Sequence, residues 1–131
     1  MAGRKEPIVY LDTHVVAWLY DALVEKLSAK ARAVIDANEL HISWMVKLEL
    51  QYLYEIGRIR VRPDPIVDEL RDSIGLRMSE ISMERVTEAA LRTAWTRDVF
   101  DRLITAESQV TGCGLVTKDA TIRKNFKLAI W

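Results

Sequence analysis

The sequence predicts an α/β domain built around a mostly parallel sheet, and three observations carry that expectation. Short apolar runs suited to buried strands alternate along the chain with apolar stripes of helical period. No internal repeat, linker or low-complexity stretch interrupts the alternation. With 131 residues, 50% of them hydrophobic, the chain can bury one substantial core, so 1–131 is expected to form a single domain.

The run Ile8-Val9-Tyr10-Leu11 reads as the first buried strand, and 13–20 as a short helix carrying Val15, Val16, Trp18 and Leu19. A second helix is expected over 25–38, with Leu27, Ala31, Val34 and Ile35 on one stripe. His41-Ile42-Ser43 reads as a short strand before a helix over 45–56, which Gly57 closes as a C-terminal glycine does. Pro63-Asp64-Pro65 stops the segment 59–61 and starts a helix reaching Ser73, because proline is tolerated in a first turn. Gly75 breaks that helix. A short strand at 80–82, helices over 83–94 and 100–111, a strand at 114–117 and a last edge strand at 127–131 complete the alternation.

Composition narrows the function. Nineteen basic and nineteen acidic residues leave a formal net charge of zero, so nothing steers the whole molecule toward nucleic acid. Attraction to phosphate must come from local clusters such as Arg58/Arg60/Arg62, Arg97/Arg102 or Lys118/Arg123/Lys124/Lys127, each of which also reads as a solvated face. One cysteine, Cys113, cannot close an internal disulfide, and His14 and His41 alone supply no zinc set of the usual spacing. A reducing cytoplasm is the expected compartment. The basic start at 1–5 imitates a signal peptide, but Glu6, Asp12 and Asp21 interrupt the apolar stretch that follows. No run approaches the roughly 18 apolar residues of a membrane span, so no membrane role is expected.

The acids carry the functional information. Asp12 closes the first strand and Asp119 follows Leu115-Val116-Thr117, so in an open α/β sheet both face the crevice at the strands' carboxyl ends. Asp98 and Asp101 open a helix that can reach the same edge. Capping explains any one of these cheaply: Asp12 and Asp119 fit N-caps, and Asp98 with Asp101 fits a cap and its reciprocal acid. Glu49 resists that account. It lies three residues after Val46 and four before Leu53, on the stripe that also includes Leu50 and Ile56, so it points toward the core side. A carboxylate there must be paired, hydrogen-bonded or metal-bound, and an ion pair with Arg102 competes with a metal site. Asp101, Thr105 and Ser108 share a second helical face, which fits either room for water and an ion or close helix packing. Trp44 and Leu48 fall toward the Lys47/Gln51/Glu55 side, available to another chain or covered by a neighbouring helix.

Four segments together resemble a known family. Val9-Tyr10-Leu11-Asp12-Thr13-His14-Val15-Val16-Ala17-Trp18-Leu19, then Ser43 with Glu49 six residues on, then Arg97-Asp98-Val99-Phe100-Asp101-Arg102-Leu103-Ile104, then Leu115-Val116-Thr117-Lys118-Asp119, are similar to the PIN-domain ribonucleases, in particular the VapC-type toxins of toxin–antitoxin systems. The likeness runs from about residue 8 to 130. It departs at Val99, where the family's Arg-Asp-Pro-Phe-Asp-Arg pattern has proline, and at Thr96, where a histidine is often found.

The resemblance implies a three-layer α/β/α sandwich and an acidic pocket binding Mg²⁺ or Mn²⁺. It implies that Asp12, Glu49, Asp101 and Asp119 form the catalytic site, with Asp12 and Asp101 as direct metal contacts and Glu49, Asp119 and Asp98 as further candidates. The reaction implied is endonucleolytic hydrolysis of RNA by a metal-activated water, with Thr117 orienting an acid or a water. A small cognate antitoxin protein and a second copy of the chain, as a homodimer, are the implied partners. The alternative is a catalytically inert PIN-like module that binds RNA or protein. A phospho-accepting receiver domain would need a central acceptor aspartate after a third strand, and a haloacid-dehalogenase-type phosphatase a second acid where His14 stands.

Overall fold

Five strands lie in the order β3-β2-β1-β4-β5, with every pairing parallel, in a computed structural model that describes residues 6–131. The basic start at 1–5 falls outside the described residues. The strands are β1 (Glu6–Leu11), β2 (Asn38–Ile42), β3 (Arg77–Met78), β4 (Gly114–Val116) and β5 (Ala129–Ile130). The helices are α1 (Thr13–Tyr20), α2 (Ala29–Ala37), α3 (Trp44–Glu55), α4 (Pro63–Ile74), α5 (Met83–Ala90), α6 (Val99–Thr111) and α7 (Ala120–Asn125), and they flank the sheet as a three-layer α/β/α sandwich.

The central strand is buried on both faces, as its unbroken apolar run requires: Val9, Tyr10 and Leu11 are all buried. β1 pairs with β2 on one side and β4 on the other, with Leu11 opposite Val116. Chain order reverses between these neighbours, which places the topological switch point at the carboxyl ends of β1 and β4. Val16, Ile42, Val46, Leu50, Ile104 and Leu115 close the main core to solvent almost completely. A smaller cluster of Val86, Ala89, Ala90 and Ala106 joins α5 to α6.

Several boundaries differ from expectation for local reasons. The helix expected over 25–38 divides, because Ser28 caps α2 by accepting the Ala31 N–H. Leu27 keeps its place in the core from the turn before that cap. Ser43 likewise caps α3 and is not part of a strand, and Ile56, expected in the core, is the C-cap and half exposed. The short strand expected at 80–82 forms earlier, at Arg77–Met78 on the sheet edge, and Ser82 instead caps α5. That helix ends at Ala90, not at 94. The closing strand is shorter than 127–131 but sits at the sheet edge as expected.

Candidate active site

Asp12 is the first residue after β1, and its burial comes from its place at the switch point. The residue is 6% exposed, and both carboxylate oxygens are held: Oδ1 accepts the Thr13 N–H at 2.8 Å and Oδ2 accepts the Thr117 hydroxyl at 2.6 Å. Thr117 Oγ1 also accepts the Asp119 N–H at 3.0 Å, so one hydroxyl couples the acids that follow β1 and β4. Burial pushes the Asp12 carboxyl above its ordinary range, against the pull of the hydrogen bonds from Thr117 and Thr13.

Glu49 reaches the same place from α3. Its Oε1 accepts the hydroxyl of the fully buried Thr13 at 2.5 Å, so Thr13 serves Asp12 through its backbone and Glu49 through its side chain. Burial raises this carboxyl too, and the charges of Asp12 and Asp98 raise it further. The competing ion pair does not form, since Arg102 Nε donates to the Ala90 carbonyl at 2.8 Å. Asp98 caps α6 by accepting the Asp101 N–H at 3.0 Å, and Asp119 caps α7 by accepting the Ile122 N–H at 2.8 Å. Capping and pocket-lining are therefore compatible: one oxygen of each acid fixes a helix start while the residue borders the cavity.

Asp101 is the most perturbed of the group. Burial first, then the charges of Asp98, Asp12, Asp119 and Glu49, push its carboxyl up to about 7. These five acids line one cavity of about 510 Å³ together with His14, Val15, Trp18 and Lys118. Among the described residues no lysine, arginine or histidine forms a salt bridge with any of the five. The result is a ring of carboxylates that no salt bridge among the described residues neutralises. Among the described residues the acids do not converge into a ready-made three-ligand cage. An all-oxygen set around a roomy polar pocket suits a hard divalent cation that keeps part of its water shell.

Below Asp101 on α6, the hydroxyls of Thr105 and Ser108 are buried without a hydrogen-bond partner among the described residues, so this face is polar inside the core. Of the basic clusters, only Lys118 borders the acidic cavity. Arg97 Nη1 donates to the Ala94 carbonyl, and Arg62 stacks over the Tyr54 ring.

Sequence reasoning missed two participants. Thr13 stood inside a recognised segment, but its bridge to a residue 36 positions away left no local trace. Glu107, 4% exposed, lies outside the acidic cavity and accepts the Ser79 hydroxyl at 2.5 Å; Ser79 is in turn bonded to the Tyr10 hydroxyl. Burial raises the Glu107 carboxyl, while hydrogen bonds from Ser79 and Ser43 lower it. This network ties α6 to β1, to the segment after β3 and to the cap of α3. A glutamate in a helix normally reads as solvated surface, so nothing in the pattern singled it out.

Comparison with known proteins bears on the family and the fold. The family model for the PIN domain matches residues 9–127. Ribonuclease VapC22 of Mycobacterium tuberculosis is 32% identical over 124 residues, covering 89% of this chain and 91% of that protein. In the solved structures, a chain of the crystal structure of VapBC2 from Rickettsia felis bound to a DNA fragment from their promoter aligns with a TM-score of 0.66. That alignment has 18% identity and covers 93% of this chain and 96% of the other, so it speaks to the fold.

Proposed function

Because the chain belongs to the PIN domain family, we propose that it is a metal-dependent endoribonuclease, the VapC-type toxin of a toxin–antitoxin pair. The observation that carries the reading is the ring of five carboxylates, unpaired by any cation among the described residues, at the switch point of the sheet. Asp12 and Asp101 would hold Mg²⁺ or Mn²⁺ directly, with Glu49, Asp119 and Asp98 contacting it or its waters. When bound, such an ion acidifies and orients an attacking water and offsets charge developing on the phosphate.

The chain's own groups prepare that site. The Thr13 N–H and the Thr117 hydroxyl fix both oxygens of Asp12, so its orientation is set before any ligand arrives. The Thr13 hydroxyl holds one oxygen of Glu49, Oε1. Asp101, with its carboxyl near 7, gives up a proton readily at neutral pH when a cation offers compensation. Exposed Lys118 at the rim offers a positive charge to a phosphate approaching an otherwise acidic pocket.

The proposed partners are an antitoxin and a second copy of the chain. α3 exposes Trp44, Leu48, Tyr52 and Ile56 at four-residue spacing, an apolar stripe that supports an association face. Among the described residues no helix is long and apolar enough to cross a membrane, and cytoplasmic RNA is the proposed substrate pool.

The test is incubation of the purified protein, freed of co-purifying partners, with total RNA in Mg²⁺ or Mn²⁺ and in EDTA. Discrete fragments that disappear in EDTA are expected. Intact RNA with either metal, or cleavage indifferent to EDTA, overturns the proposal.

A further inference from the structure

The acidic cavity has an aromatic wall that the metal chemistry leaves unexplained. His14 and Trp18 lie one turn apart on α1, both line the cavity, and their ring centroids are 6.1 Å apart. Trp131, brought in just after β5, stands 6.2 Å from Trp18, and Lys26 Nζ lies 5.7 Å from the Trp18 ring centroid. His14 is exposed, and Trp18 and Trp131, though packed against the main core, are only partly buried.

From this wall we infer that His14 and Trp18, extended by Trp131, form a base-stacking platform for single-stranded RNA beside the cleaved phosphate. The inference rests on the ribonuclease reading and adds how that site grips its substrate. A chain of zero net charge with five carboxylates in its pocket gains little affinity from long-range electrostatics. Stacking of unpaired bases on aromatic rings supplies affinity that does not depend on attracting phosphate, and it tolerates any base. Lys118, at the cavity rim, is placed to meet a phosphate flanking a stacked nucleotide. The platform selects single strands, because bases inside a duplex are already stacked on each other.

The test uses protein carrying Asp101→Asn, titrated with a short fluorescein-labelled single-stranded RNA of mixed sequence and with the same sugar–phosphate chain lacking bases. Adding Trp18→Ala is expected to weaken RNA binding roughly 5- to 100-fold, with smaller losses for His14→Ala and Trp18→Phe. Binding of the base-free chain should be equally weak in all of them, and Met83→Ala, exposed and outside the cavity lining, should match the parent. His14 is exposed, so its variant keeps the test alive if Trp18→Ala fails to fold. RNA binding unchanged by both Trp18→Phe and His14→Ala, or a base-free chain bound as tightly as RNA, overturns the platform. If the wild type cuts RNA with the same KM as Trp18→Ala, the platform fails and the ribonuclease stands. A parent that does not bind RNA, from a wild type that does not cut it, removes both.

Discussion

Replacing Asp101 with asparagine should make the metal-free protein more stable while destroying its activity. The native carboxyl sits near 7 against an ordinary 3.8, so from pH 3.8 to about 7 the folded state binds more protons than the unfolded one. Stability therefore falls as pH rises through that window and is lowest above it. The displacement converts to at most about 4 kcal/mol. Asp101 is only about half buried, and solvent screening reduces this to about 1–2 kcal/mol. No hydrogen bond reaches the Asp101 carboxylate among the described residues, so Asp101→Asn removes the charge and strands no donor. In EDTA at pH 8 the variant should melt about 3–8 °C above wild type, with the gap closing toward pH 4. Adding Mn²⁺ should reverse the order, because only the wild type keeps its full ligand set. Circular-dichroism melts from pH 4 to 8, with and without Mn²⁺, read all three effects. A variant less stable than wild type at pH 8, or a gap independent of pH, would refute the reasoning.

Other substitutions probe the supports of the site. Thr117→Val removes the donor to Asp12 and the acceptor of the Asp119 N–H, and Mn²⁺ affinity measured by calorimetry should fall about 10- to 100-fold. Glu107→Ala should cost about 2–4 kcal/mol in urea denaturation by opening a cavity and removing the buried acceptor of the Ser79 and Ser43 hydroxyls, whereas Glu107→Gln, which keeps an acceptor, should cost far less. Leu48→Glu places a charge in the exposed α3 stripe, and sedimentation should show a wild-type dimer and a variant monomer; identical profiles would remove α3 from the interface.

The readable parts of this molecule were those with a local cause. β1 was legible because four apolar residues end in an acid, and Glu49 because a helix phase shared with Val46 and Leu53 turns it inward. The two-residue strand β3 was not, since Arg77–Met78 has no run to recognise and takes its identity from pairing with His41 and Ile42. Ile56 followed the stripe but fell on the cap, where the chain leaves the helix and the side chain meets solvent. Ser28 divided a continuous apolar pattern by offering a hydroxyl to a helix start. The Thr13–Glu49 and Thr117–Asp12 bonds, and the contact between Trp18 and Trp131, join residues far apart in sequence and exist only once the sheet order is known.

The most direct measurement compares wild type, Asp12→Asn and Asp101→Asn on the same RNA in Mn²⁺, with each protein's fold verified by circular dichroism. The account predicts discrete cleavage by wild type and none by the folded variants. Cleavage by either folded variant at the wild-type rate would contradict it, because the reaction would then run without the carboxylates that define the pocket.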